Sequence, residues 1–362
     1  MTTAQHFAML PVAPKRDIHA ALVEHLVSKA RGRPPKGNAH QYQHLRLADI
    51  ARLAAGDHAR QLDLDGVLGV TFSAGSHSTS DFPAILADAA NKILVEQLEA
   101  APPSYRAWAQ RRQFKDFKAH KFLRLGDFPA FQAVPEPATV AFGTIDESRE
   151  QVTLCSYTSA ISFTREALIN DDLGALSAIG SSIATRAAAT EGELSYALLA
   201  ANPTMADGEA LFSEAHGNLA SSGGAIDVTT VAAGRKAMRN MTSLDGLKLN
   251  IMPRYLVVGP AYETAADQVL AEITPTSAAN VNPFSGKLEL VVDANITGNA
   301  WYLFADPAAW PSVVYGHLRN LEGPEVWVVR NPNTRALDIH AGLDFAVGAI
   351  DYRGCYCNPG AA

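Results

Sequence analysis

The stretch from Asn170 to Leu219 constrains the fold more than any other, because it carries one long amphipathic helix pattern. Apolar side chains recur at three- and four-residue steps, at Leu176, Ile179, Ile183, Ala187, Leu194 and Leu198. Acidic residues at 171 and 172 suit the positive end of a helix, and Asn202-Pro203 ends it. The sequence therefore predicts a helix over 171–202, about 45 Å long. Three charged side chains are predicted on its other faces: Arg186, Glu191 and Glu193.

Four motifs around this pattern carry a resemblance to a known family. They are INDDLG at 169–174, an alanine-rich helix with an internal glutamate, DGxxLF at 207–212 and HGNL at 216–219. Their order and spacing resemble the major capsid proteins of tailed bacteriophages, in the branch associated with or fused to a ClpP-like prohead protease. Similar stretches extend from about His77 to Gly360, among them DFPxIL, AWYLFADP and HAGLDFAVGAIDYRG.

The resemblance implies an α+β fold, the phage capsid fold shared with encapsulins. The expected organisation is an N-terminal arm (1–80), the N-terminal helix and linker of a peripheral domain (81–118), an extended loop (119–165), the peripheral domain with its spine helix 171–202 (166–249), an axial domain (250–325) and return strands of the peripheral domain (326–362).

The residue pattern itself supports a mixed fold. Apolar periodicity predicts helices at 17–30, 45–55, 81–102, 231–241 and 262–272. Short apolar runs predict strands at 255–259, 288–292, 301–304, 326–329 and 337–352. Alternating residues at 122–131 and 139–164 predict a long two-stranded excursion, which could bury little apolar surface by itself.

Charge and hydropathy exclude some classes of protein. With 30 basic and 37 acidic residues the formal net charge is −7, which is unfavourable for gripping DNA along the chain but acceptable for enclosing it. No apolar run of about 18 residues predicts a membrane-spanning helix. The N-terminal sequence lacks the pattern of a secretory signal, so we expect the chain to begin in a cytoplasm.

Two basic segments each allow two interpretations. The loop 31–36 could contact packaged DNA, but it is short, and a solvated linker is favoured. The segment 105–122 mixes aromatic and basic residues, as a nucleic-acid surface would. Contact between subunits is the favoured interpretation of this second segment.

Catalytic interpretations of the sequence are weaker. The DxDGxL run at 63–68 matches haloacid-dehalogenase-type phosphatases, in which Asp63 would attack phosphorus and Asp65 would act as acid and base beside magnesium. The polar residues at 57–61 cannot form the buried strand that such a site needs. Likewise, no strand-turn-helix pattern supports a hydrolase at 73–80, where His77 lies among serines.

Cysteine spacing gives little evidence for a metal site. Cys355-x-Cys357 could be half of a zinc site, but a second ligand pair is missing, so small residues on a C-terminal strand are favoured. We therefore expect no catalytic residue, cofactor or metal.

The function implied by the resemblance is structural. Copies would form pentamers and hexamers of an icosahedral shell that encloses double-stranded DNA without sequence-specific binding. Expected partners are a portal, a prohead protease or scaffold during assembly, and decoration proteins; the expected location is the virion, with assembly in the host cytoplasm. An encapsulin-like nanocompartment shell is the alternative, and cleavage or retention of residues 1–75 is left open.

Overall fold

The structure is a computed structural model that describes residues 15–45, 47–55, 82–100, 102–125, 147–163, 174–243, 246–271, 287–319, 323–330 and 337–361. The chain divides into two compact units. Unit 1 comprises residues 1–102, 156–189 and 321–344, and unit 2 comprises residues 103–155, 190–320 and 345–362. Within the described ranges, no helix has the length and apolar character needed to cross a membrane.

Helices and strands alternate along the described residues. The α-helices are α1 (Lys15–Ala30), α2 (Leu47–Ala55), α3 (Phe82–Ala100), α4 (Gly174–Ala201), α5 (Val228–Asn240) and α6 (Glu263–Leu270). The strands are β1 (Gln110–Phe114), β2 (His120–Leu125), β3 (Glu147–Val152), β4 (Cys155–Phe163), β5 (Pro253–Val258), β6 (Glu289–Val292), β7 (Trp301–Ala305), β8 (Val313–Leu318), β9 (Glu325–Arg330), β10 (Leu337–Ala349) and β11 (Cys355–Asn358). Short 3-10 helices cover Gly37–Tyr42, Ser104–Ala107 and Pro260–Tyr262.

Unit 1 contains a helical core near the N-terminus. Helices α1, α2 and α3 bury a shared apolar cluster that includes Leu22, Leu26, Ile50, Phe82 and Ile85. The three helices lie where apolar periodicity predicts them. Much of the expected N-terminal arm (1–80) is therefore a packed helical segment that shares its core with α3.

The basic loop after α1 is held against α3. Arg31 donates a hydrogen bond to the Ile93 carbonyl at 2.9 Å, and Arg33 forms an ion pair with Glu96 at 3.0 Å. The loop is exposed to solvent at Arg31, Gly32, Pro34 and Lys36, as a solvated linker would be, but Arg31 and Arg33 also have partners on α3. Those partners lie about 60 residues away in sequence, beyond the reach of local pattern.

Unit 1 also contains a sheet that packs on α3. Strand β9 runs antiparallel to the first half of β10, with Val326 opposite Ala341, and β4 is the neighbour of β10 on its other side. Val326 and Ile339 face the helices and pack against Leu86 of α3 and Ile183 of α4. The opposite face of this sheet is exposed to solvent at Trp327 and Val329.

Unit 2 is built around a four-stranded sheet in the order β11-β7-β5-β6. Every residue of β7 is buried, and its Trp301 and Leu303 share a core with α5 and α6. Helix α5 approaches the sheet closely at Gly234, where an added Cβ would lie 2.8 Å from Leu303. The predicted strands at 255–259, 288–292 and 301–304 are confirmed within one residue at most ends.

Unit 2 also contains strands of a second sheet and a separate two-stranded hairpin that belongs to the predicted excursion. Strand β1 pairs in parallel with β8, and β8 pairs antiparallel with the second half of β10. Strands β2 and β3 pair antiparallel over six residues each. The residues between them, 126–146, lie outside the described part of the chain.

Candidate functional site

The motifs that follow the long helix form one tightly bonded turn. Asn202, at a positive φ of 45°, donates to the Phe212 carbonyl at 2.9 Å and accepts from the Phe212 amide at 2.7 Å. Asn218 is fully buried and donates to the carbonyls of Leu211 and Tyr352. The DGxxLF and HGNL motifs therefore place side chains that satisfy backbone groups in a buried turn.

A contact between His216 and Asp207 closes the same turn. The His216 ring lies 3.0 Å from a carboxylate oxygen of Asp207 and stacks on Tyr352, with ring centroids 3.7 Å apart. The Glu150 carboxylate accepts a hydrogen bond from the Ala206 amide at 3.1 Å. These contacts give the motif residues a structural role, which is to hold the turn in place.

A buried carboxylate on the long helix is the centre of a polar network. Glu191 is 0% exposed and accepts hydrogen bonds from the Tyr105 hydroxyl at 2.5 Å and from the Arg106 guanidinium at 3.4 Å. A ring nitrogen of His317, on β8, lies 2.8 Å from its second oxygen. We call Glu191, Tyr105, Arg106 and His317 the Glu191 network; it joins three separate segments of unit 2.

The electrostatics of this network favour a charged carboxylate. Burial alone would raise the pKa of Glu191, but the His317 ring, the Tyr105 hydroxyl and the Arg106 guanidinium outweigh burial and lower it. Burial and the adjacent carboxylate raise the pKa of the Tyr105 hydroxyl, so it remains a donor. Both oxygens of the buried Glu191 carboxylate therefore have hydrogen-bond partners within unit 2.

The sequence-based prediction of which face of the long helix is buried is wrong at Glu191. The sequence predicts Glu191 on a face away from the apolar stripe, but it is buried together with Ala184, Ala187, Ser195 and Leu199. Leu194 and Leu198, predicted in the stripe, are only partly buried. Arg186 and Glu193 are exposed as predicted.

The turn between β1 and β2 forms a basic surface. We define this basic surface by four exposed side chains: Arg112, Lys115, Lys118 and Lys121. His120 fixes the turn, because its Nε2 accepts from the Lys115 amide at 3.2 Å and its Nδ1 donates to the Lys118 carbonyl at 2.9 Å. Beside it lies an open cavity of about 570 Å³ lined by Arg112, Lys121, Phe122, Trp310 and Asp351 among others.

The described residues provide no support for the catalytic interpretations of the sequence. Asp63, Asp65 and His77 lie outside the described ranges. No group of three or more histidine, cysteine or acidic residues in those ranges is arranged to hold a metal ion. Cys355 and Cys357 lie buried on β11, and burial raises the pKa of both thiols, that of Cys357 to about 12. The strand interpretation of the two cysteines is thus confirmed.

Each unit displays large apolar side chains to solvent. In unit 1, Ile161 of β4 is 50% exposed and Trp327 of β9 is 38% exposed. In unit 2, Leu123 of β2 is 49% exposed and Leu247 is 60% exposed. Exposed apolar side chains mark a surface that another chain covers where they form a contiguous patch, whereas single ones are common on monomers.

Comparison with known proteins gives a consistent result. A sequence family described as phage capsid protein matches residues 149–358. The capsid of a native GTA particle is similar in structure, with a TM-score of 0.51 and 11% identity over 72% of this chain and 90% of that chain. A structure from Microbacterium phage Oxtober96 gives a TM-score of 0.50 and 8% identity over 71% of this chain and 90% of that chain. No curated protein matches the chain.

Proposed function

The chain belongs to the phage capsid protein family, and we propose that its copies form pentamers and hexamers that close an icosahedral shell around double-stranded DNA. It is a structural protein of the virion, a major capsid protein that assembles with copies of itself. The family match, which spans more than half of the chain, is the observation that carries this conclusion.

Surface chemistry supports assembly through many copies. Ile161, Trp327 and Leu123 lie on strands and expose apolar area that no other part of the described chain covers. A neighbouring subunit in a closed symmetric assembly would remove this area from water. The hairpin of β2 and β3 leads into residues 126–146, and we propose that this excursion contacts the neighbouring subunit.

The finer partners follow from the same proposal. Assembly would take place in the host cytoplasm with a portal and with a prohead protease or scaffold, and decoration proteins could bind the outer surface. The net charge of −7 suits a shell that encloses DNA without binding it electrostatically over its whole inner face.

Purified protein is expected to sediment as capsomers or closed shells, because assembly buries the exposed strand residues. Analytical ultracentrifugation and negative-stain microscopy measure this directly. Particles made with the phage DNA-packaging proteins are expected to contain nuclease-protected DNA, which an encapsulin-like shell would lack. A protein that stays monomeric at high concentration and physiological salt would contradict the proposed function.

Replacing Asp63 and Asp65 together with asparagine is expected to leave shell formation unchanged, because the proposed function needs no chemistry at these residues. The wild-type protein is expected to release no phosphate from p-nitrophenyl phosphate with magnesium. Turnover that disappears in Asp63→Asn would establish the phosphatase interpretation instead.

A further inference from the structure

Charge is distributed very unevenly along this acidic chain. Residues 102–125 contain seven lysines and arginines and only one acidic residue, which gives a net charge of +6 within a chain of −7. The basic side chains are Arg106, Arg111, Arg112, Lys115, Lys118, Lys121 and Arg124. Arg106 belongs to the Glu191 network, but the four members of the basic surface are exposed.

The opposite charge is concentrated in a second segment. Residues 187–234 contain no lysine or arginine and six acidic residues: Glu191, Glu193, Asp207, Glu209, Glu214 and Asp227. Three of them lie on the bonded turn after α4, and we call Asp207, Glu209 and Glu214 the acidic turn. All three are exposed to solvent.

Most of the charge on the two surfaces has no ion-pair partner in the described part of the chain, although Asp207 of the acidic turn contacts His216. Among the described residues, no carboxylate forms an ion pair with Arg112, Lys115, Lys118 or Lys121. Glu209 and Glu214 likewise have no ion-pair partner in that part of the chain. Each surface therefore has unpaired exposed charge that a partner of opposite sign could meet.

We propose that the basic surface of one subunit binds the acidic turn of the next copy of this chain. Two different patches meet in such a contact, which makes it a head-to-tail contact of the kind that builds rings and closed shells. The proposal rests on the assembly function proposed above and specifies one of the surfaces that assembly uses.

Hydrogen bonds hold the backbone of both surfaces in place. The basic turn is fixed by the His120 hydrogen bonds and by Asp116, which accepts from the Lys118 amide at 3.0 Å. The acidic turn is fixed by a hydrogen bond from the Met205 amide to the Glu209 carbonyl at 2.7 Å and by the Glu150 contact. Groups that are already ordered lose little entropy on binding.

A protein partner fits the basic surface better than DNA does. Phe117 lies at the tip of the basic turn between Lys115 and Lys118 and is 48% exposed. An aromatic anchor surrounded by charge is typical of protein interfaces. Double-stranded DNA offers phosphates to the lysines, but its bases are stacked, so an aromatic side chain gains contact with them only when a base step is unstacked.

Charge reversal on either side of the contact tests the proposal. Lys115→Glu with Lys118→Glu makes both surfaces acidic, and Glu209→Lys with Glu214→Lys makes both basic. Each double variant is expected to reduce the yield of closed shells by about tenfold or more, because like charges then face each other. The combined fourfold variant restores opposite charges and is expected to recover most of the wild-type yield.

A matched control separates this contact from a general effect of charge. Lys236→Glu with Lys248→Glu changes the net charge by the same amount at exposed lysines elsewhere in unit 2. This control is expected to assemble like the wild type. Circular dichroism melts of all variants check folding, and mixing the two double variants is expected to give co-assembly that neither shows alone.

Each outcome decides between explanations. The proposed contact would be overturned if both double variants formed normal shells. It would also be overturned if neither the fourfold variant nor the mixture recovered shell formation. In both cases wild-type shells would still support the proposed function. If the lysine variant forms normal shells that lose nuclease-protected DNA, the basic surface binds DNA instead. Absence of particles from the wild type would contradict the proposed function itself.

Discussion

Replacing residues 126–146 with an Asn-Gly turn is expected to leave the subunit folded and to abolish closed shells. Leu125 and Glu147 are directly opposite in the β2–β3 ladder, so a two-residue turn can join them without changing the register. The six paired residues of each strand stay in place, and Phe122 keeps its contact with the Phe114 cluster.

The expected loss concerns contacts between subunits. Circular dichroism should show unchanged secondary structure and a cooperative melt, whereas ultracentrifugation should show only small species. Replacing the same residues with a flexible Gly/Ser segment of equal length is the control for length, and it should also fail to form shells if side chains make the contact. Normal shells from the shortened protein, or an unfolded subunit, would contradict the proposed role of the excursion.

The existence of the long helix could be predicted because its signals are local. Apolar residues at helical spacing and Asn202-Pro203 at its end indicate the helix without any tertiary information. The structure has it at Gly174–Ala201, inside the predicted 171–202. The α+β capsid fold predicted from the motifs is likewise confirmed by the structural similarity to phage and GTA capsids.

The burial of Glu191 could not be predicted from local pattern. Its partners lie 86, 85 and 126 residues away at Tyr105, Arg106 and His317. A glutamate is rarely buried unless it is paired, so sequence reasoning places it on the exposed face by default. Ala187 lies in both the predicted stripe and the buried face, so the alanine-rich middle of the helix does not distinguish the two faces.

The tertiary partner of the N-terminal helices could not be predicted from local sequence either. Their amphipathic patterns predict α1 and α2, but the partner that covers their apolar faces is α3, which begins at Phe82. The division of the chain into an arm, a peripheral domain and an axial domain remains a prediction. The two compact units of the structure are defined by contacts, and they cut across the predicted boundaries at several points.

Acid is expected to destabilise the subunit through Glu191. Because the folded-state pKa of this carboxyl is lowered from its ordinary value of 4.5, the charged network adds stability above that value. This stability is lost as the pH falls through the folded-state pKa. Glu191→Gln should therefore be less stable than the wild type at neutral pH and should lose less stability below about pH 4.5.

His317→Leu is expected to destabilise the subunit by roughly 3–5 kcal/mol, because it removes one partner of a fully buried carboxylate. That loss is a large part of a total unfolding free energy of about 5–15 kcal/mol. Urea unfolding of dissociated subunits measures it, and Glu193→Gln, at an exposed glutamate on the same helix, is the matched control with an expected change within about 0.5 kcal/mol. The double variant with Glu191→Leu should lose less unfolding free energy than the sum of the losses in the two single variants. The reason is that Glu191→Leu removes the charge that His317→Leu leaves unpaired. Additive losses would show that Glu191 and His317 act independently, and the network would then not be a unit.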